Sequence, residues 1–186
     1  NLDIKNFEAA TNKNEKALKL IQSLPKNDSI PKRIHQTAII YSNIGFSKVR
    51  EAEQKEEISE KVIASSISNF DKAKSLIDGL SNDYKKSLQD SINVKVGKRY
   101  ILLYGAYTHM KAFELNSDSS WLDSAQMYLN MSESIAVKSA RTEIIKTHYQ
   151  AALYFERGLK DSCKLELEKI IFTEKALGRL YPTYSD

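Results

Sequence analysis

Three histidines, one cysteine and a run of carboxylates are the residues best suited to chemistry in this chain. His35, His109 and His148 are scattered, and none has a second His, Cys or carboxylate cluster three or four residues away. That spacing is what lets two side chains share an ion from one helix face. His148 and Glu156 stand eight apart and share a helical side, but two ligands on one helix are not a site. The reading is therefore no metal and no cofactor. Cys163 is alone, so it can form neither an internal disulfide nor a thiolate zinc site. It occupies a position where helix packing needs a small side chain, and it is expected to be a buried packing thiol. Glu51, Glu53, Glu56, Glu57 and Glu60 form the densest acidic stretch, broken by Lys55. Their spacing predicts a solvated helical face rather than an acid–base pair. Gly97-Lys98 has no glycine at the spacing of a phosphate loop and no strand leading into it. Nothing here predicts an enzyme.

Composition sets the frame for the elements that position these residues. The 186 residues carry 28 Lys and Arg against 24 Asp and Glu, a net charge of +4. The basic residues are interleaved with acids, and the densest set is Lys95, Lys98 and Arg99 near Lys85 and Lys86. A direct nucleic-acid interface needs a concentrated basic face, and none is expected. The longest apolar run, Tyr100 to Tyr107, is far short of a membrane span. Six glycines and three prolines are too few for a sandwich or barrel with many tight turns. A chain of this length buries about 70% of its unfolded surface without a disulfide or metal. The start at Asn1, without Met, is what an exported or trimmed segment would show. The expected setting leans to a bacterial envelope, with the cytoplasm as the alternative.

Helical periodicity dominates, and no segment alternates long enough for a strand. Val94, Ile101, Leu102, Ala106, Met110 and Phe113 recur at helical spacing, as do Trp121, Leu122, Ala125 and Leu129. The same holds for Ile144, Ile145, Ala151, Ala152 and Phe155, and for Leu165, Leu167, Ile170, Ile171 and Leu177. The ten tyrosines fit amphipathic packing between helices. Pro25 and Pro31 bracket a loop, with Pro31 suited to a first helical turn. Asn116 to Ser120 reads as a loop, with Ser119 or Ser120 as the next N-cap. Gly79 reads as a helix end, and Pro182 as the stop of the last helix.

Four segments look alike: Asn14-Glu15-Lys16-Ala17, Phe70-Asp71-Lys72-Ala73, Leu122-Asp123-Ser124-Ala125 and Lys160-Asp161-Ser162-Cys163. Each has an acid two places before a small residue, and an aliphatic four places after it. A small residue one turn before a large one lets a neighbouring helix approach closely. The acid is expected in a first turn, where the helix dipole favours it. Ala151-Ala152-Leu153-Tyr154-Phe155-Glu156-Arg157-Gly158, followed by Leu159 to Cys163, resembles a tetratricopeptide repeat. Its small residues are Ala151 and Cys163, its Tyr is Tyr154, its turn Gly is Gly158, and its apolar positions are Leu167 and Ile170. Gly105, Ala125 and Leu129 supply the preceding unit, with eight extra residues around Phe113 to Ser120. Asn43-Ile44-Gly45 resembles a further first helix, but Gly45 lies 28 residues before Ala73. That distance implies a longer helix or an extra one within 46–68.

The resemblance implies one all-α domain over 1–186. It implies about eight to ten helices in antiparallel pairs, stacked as a short right-handed superhelix with helical insertions. The best repeat-like part is 95–175, and 1–30 is a capping half-repeat. The implied function is a non-enzymatic protein or peptide interaction module, a scaffold or ligand-sensing part of a larger bacterial protein. The alternative is a peptide-gated intracellular regulatory domain controlling a DNA-binding or signalling partner, and oligomers are compatible with either. The concave face is expected to bind through Arg99, His109 and Met110 on the first helix of one unit and His148, Phe155 and Glu156 on the first helix of the next unit. An aromatic and a Met supply apolar anchors, and an Arg forks onto a carboxylate.

Overall fold

The computed structural model describes residues 4–23, 30–80, 88–137 and 139–180, and among these every regular element is an α-helix. There are seven: α1 (Ile4–Ser23), α2 (Ile30–Gln54), α3 (Glu60–Asp78), α4 (Leu88–Asn116), α5 (Ser120–Glu133), α6 (Ala140–Glu156) and α7 (Lys160–Leu180). The all-α reading stands, with fewer helices than the eight to ten expected. The extra residues lengthen existing helices instead of adding one. α2 has 25 residues and α4 has 29, so the 46–68 stretch is the end of α2, a short turn and the start of α3.

Local chemistry fixes the helix ends. Pro31 falls in the first turn of α2, where its missing N–H costs nothing. Ser139 opens α6 with a reciprocal cap: its Oγ accepts from the Thr142 N–H at 3.2 Å, and the Thr142 Oγ1 accepts from the Ser139 N–H at 3.1 Å. At α5 the Ser119 side chain makes no cap bond; the Asp118 Oδ1 accepts from the Ser120 N–H instead, at 2.9 Å. α2, α4 and α6 each close on a left-handed residue: Glu56 (φ 55), Ser117 (φ 57) and Gly158 (φ 71). The freed carbonyls are recaptured by Glu57 N–H on Ala52 O at 2.8 Å, Ser117 N–H on Phe113 O at 2.7 Å and Leu159 N–H on Tyr154 O at 2.8 Å. Only Gly158 signals such a cap by residue type. Gly79 ends α3 in a right-handed conformation, φ −76. Pro182 lies outside the described residues.

Neighbours in sequence pack as neighbours in space: α1 on α2, α2 on α3, α3 on α4, α4 on α5, α5 on α6 and α6 on α7. α2 also touches α4, and α4 touches α6. The four small residues Ala17, Ala73, Ala125 and Cys163 therefore fall on the alternate helices α1, α3, α5 and α7. Ala73 and Ala125 are fully buried, whereas Cys163 is only half-buried. Among the described residues the main packing partner of α7 is α6, so the thiol is enclosed less than expected. The recurrent acids also divide. Asp123 and Asp161 stand in first turns, but Glu15 and Asp71 are mid-helix because α1 and α3 begin far upstream.

α4 is the centre. Ile101, Leu102, Leu103 and Ala106 have no exposed surface; the main core joins the last three to Val49, Ile63, Leu122, Ala125, Leu129 and Leu153, and Ile101 packs in a second cluster with Ala38, Ala73, Ile77 and Val94. Gly105 lets α5 close on it: a Cβ there would meet the Tyr128 ring at 2.8 Å.

Candidate functional site

The six residues expected on one open face divide by helix. Arg99, His109 and Met110 are buried within the packing of α4, so they form no open surface. Arg99 is 0% exposed and pairs with Glu143 of α6, with Glu133 of α5 at 3.9 Å. Its Nε and Nη1 find no hydrogen-bond partner. The His109 Nδ1 donates to the Gly105 carbonyl at 2.8 Å, and its ring lies 5.6 Å from Trp121 and 5.0 Å from Tyr128. On α6, His148 and Phe155 are exposed and Glu156 is half-buried. The reason for the division is coverage. α4 touches α2, α3, α5 and α6, so most of its circumference is enclosed.

The less covered side of α4, where Tyr100, Tyr104 and Lys111 are half-buried and Tyr107 is buried, is turned one residue on, about 100° around the helix. It carries Tyr100, Tyr104, Tyr107 and Lys111, at spacings of four, three and four. α2 presents Ile39, Asn43, Phe46, Arg50 and Glu53 at the same spacing, and α6 presents Arg141, Ile145 and His148 with Tyr149 beside them. The three stripes meet. Phe46 stacks on Tyr104 with ring centres 4.0 Å apart and planes at 14°, and its edge meets Tyr107 at 5.6 Å. Tyr107 in turn lies 5.4 Å from Tyr149. This repeated four-three spacing was present in the sequence, but the stronger apolar stripe on the other side of α4 masked it.

One end of the seam is a closed ion network. Glu53 accepts from Arg50, from the Tyr107 hydroxyl and from Lys111 at 2.8 Å. Burial alone would raise the Glu53 carboxyl, but Lys111 and Tyr107, with Arg50, hold it below the usual range. Burial and the Glu53 carboxylate push the Tyr107 phenol up. Glu53 is thus an internal ligand of the seam, whereas a solvated position was expected for the whole 51–60 run.

At the other end is a pocket of about 240 Å³, lined by Ile39, Ser42, Asn43, Tyr100, Tyr104 and Arg141. Ser42 is 2% exposed, and its hydroxyl has no partner. Burial and Tyr100 raise the Tyr104 phenol, partly offset by Arg141. The pocket therefore offers hydroxyls, a carboxamide and a guanidinium beside aromatic faces. That set holds and orients a polar group. Among the described residues no group of three His, Cys, Asp or Glu is placed to hold a metal ion. No described helix is long and apolar enough to cross a membrane.

Burial lowers the His109 imidazole, outweighing its backbone hydrogen bond and Asp71. The unfolded state then binds the extra proton between the lowered value and about 6.5. The stability that neutral His109 contributes is complete above about pH 6.5 and is lost as pH falls through the folded value. Urea titrations at pH 7.5 and 5.0 should show a pH-dependent loss that is smaller in His109→Phe.

Comparison with family models, with curated proteins and with solved structures gives no match.

Proposed function

We propose that the chain is a non-enzymatic interaction module whose α2/α4/α6 face holds a protein or peptide segment. In this reading the helix pairs α2/α3, α4/α5 and α6/α7 stack as a short tetratricopeptide-like array, and α1 is its capping half-repeat. The alternate placement of Ala17, Ala73, Ala125 and Cys163 supports that stacking, as do the left-handed caps that close α2, α4 and α6. The observation that carries the binding reading is the aromatic seam running into a pocket whose buried Ser42 hydroxyl is unsatisfied. A buried hydroxyl without a partner costs about 1–3 kcal/mol, which a ligand group can recover.

The seam suits an extended segment. Rigid aromatic rings lose little side-chain entropy on contact. Arg141 and Asn43 would receive an acceptor group, and Ile39 with the tyrosine faces would receive apolar side chains.

The test is selection of peptides by display on the immobilised protein, followed by affinity measurement. Arg141→Ala and Tyr104→Ala should each weaken the selected peptides by more than about 1 kcal/mol. Met127→Ala, on the exposed side of α5, should leave affinity unchanged. Peptides whose affinity ignores both seam substitutions would sink the proposal.

A further inference from the structure

On another part of the molecule, α3, the end of α4 and the start of α5 enclose a pocket of about 510 Å³. Its volume lies within the range of small-molecule sites. Ile63, Ile67, Ala112, Leu115 and Trp121 give it apolar walls. The Trp121 indole N–H is buried without an acceptor. Behind the indole lies the His109 ring, whose imidazole burial keeps neutral near pH 7.

Three features give this apolar pocket a negative bias. Glu60 and Asp71 are both on its lining, and neither pairs with a cation among the described residues. Asp71 is the mid-helix acid of the recurrent pattern. Its exposed carboxylate acts on the Tyr128 phenol, which burial has already raised. The third feature is the carboxyl-terminal end of α4 at Leu115 and Asn116, the negative pole of a 29-residue helix. No Lys, Arg or His is among the described lining residues.

We propose that this pocket binds a small organic cation: an ammonium group carried on an apolar body, with the body against Ile63, Ile67 and Trp121 and the charge in the combined field of Asp71 and Glu60, which stand about 16 Å apart along α3 on the pocket lining. The chemistry is complementary at the apolar walls, the indole face and the carboxylates; the Trp121 N–H is left to water. An indole face attracts a cation as well as hydrocarbon. The two carboxylates and the helix end favour positive charge, and they disfavour an anion of the same shape.

Trp121 is the single tryptophan of the chain, so its emission reports this pocket alone. The probes are phenethylammonium and 3-phenylpropionate at pH 7, which share an aromatic body and differ in the sign of charge. Phenethylammonium should shift or quench the emission saturably, with half-saturation at or below about 1 mM. Phenylpropionate should bind at least about tenfold more weakly. Glu60→Gln with Asp71→Asn should bring the two probes within about threefold of each other. The Asn carbonyl can still accept from Tyr128, and Glu60→Gln alone, at an exposed first-turn position, supplies a milder variant. Arg141→Ala, in the peptide seam, should leave the cation titration unchanged. The proposal is overturned by any one of three results: no saturable change, equal binding of both probes, or a charge preference that survives the double substitution.

Discussion

Glu143→Ala is expected to lower the stability of the fold by about 3 kcal/mol, whereas Arg99→Met should leave it unchanged or raised. The asymmetry follows from which charge is enclosed. Arg99 is fully buried between α4, α5 and α6, while the Glu143 side chain keeps 36% of its surface in water. Removing the carboxylate strands a guanidinium that already has two nitrogens without partners. Removing the guanidinium leaves a part-exposed Glu143 that can turn its buried Oε1 toward water, and lets a methionine of similar length fill the volume. Glu133 stands 3.9 Å from Arg99 and is more exposed, so Glu133→Ala should cost less than about 1 kcal/mol. Urea unfolding of the three variants checks the order. Equal losses for Glu143→Ala and Arg99→Met would show that the pair itself stabilises the fold.

Gly105→Ala should cost about 1–3 kcal/mol even though alanine is the better helix former. The added methyl would sit 2.8 and 2.9 Å from two carbons of the Tyr128 ring. The ring cannot move aside freely, because Tyr128 is 7% exposed and also lies against His109. The clash has to be relieved by separating α4 from α5, the pair that closes the middle of the core. Propensity favours the substitution by about 1 kcal/mol, so a net loss isolates the packing term. A second change, Tyr128→Leu, should recover part of the loss when combined with Gly105→Ala, because it removes the atoms that collide. Thermal unfolding of the two single variants and the double variant measures the coupling. Strict additivity would show that the Tyr128 ring is not the obstacle.

Several features were legible in the residues themselves. Uniform three-four periodicity gives helices without strands, and the breaks at 116–120 and 157–159 place the α4/α5 and α6/α7 turns. The four small-residue segments give alternate helices. Each of these is a local property of the chain, carried by side-chain spacing or by a residue type that breaks a helix. On α6 the expected residues His148, Phe155 and Glu156 share the side of Arg141 and Ile145 by spacing alone.

The side of α4 that stays open was decided by tertiary packing. Apart from Arg99, Thr108 and His109, residues 99 to 110 carry apolar, small or aromatic side chains around the helix, so spacing alone did not say which side the neighbours would cover. Arg99 and His109 look like surface groups by type. Arg99 is enclosed because α6 brings Glu143 to it, and His109 because α5 covers it with Tyr128 and Trp121 while its Nδ1 bonds the Gly105 carbonyl one turn back on α4. Helix lengths were likewise set from outside. α2 runs to Gln54 and α3 starts at Glu60, the two pack against each other, and Glu56 between them takes a left-handed conformation that its residue type does not announce. The position of Asp71 beside an apolar pocket depends on the same extension. α3 begins eleven residues upstream of it, so an acid that spacing assigned to a helix start faces the end of α4 instead.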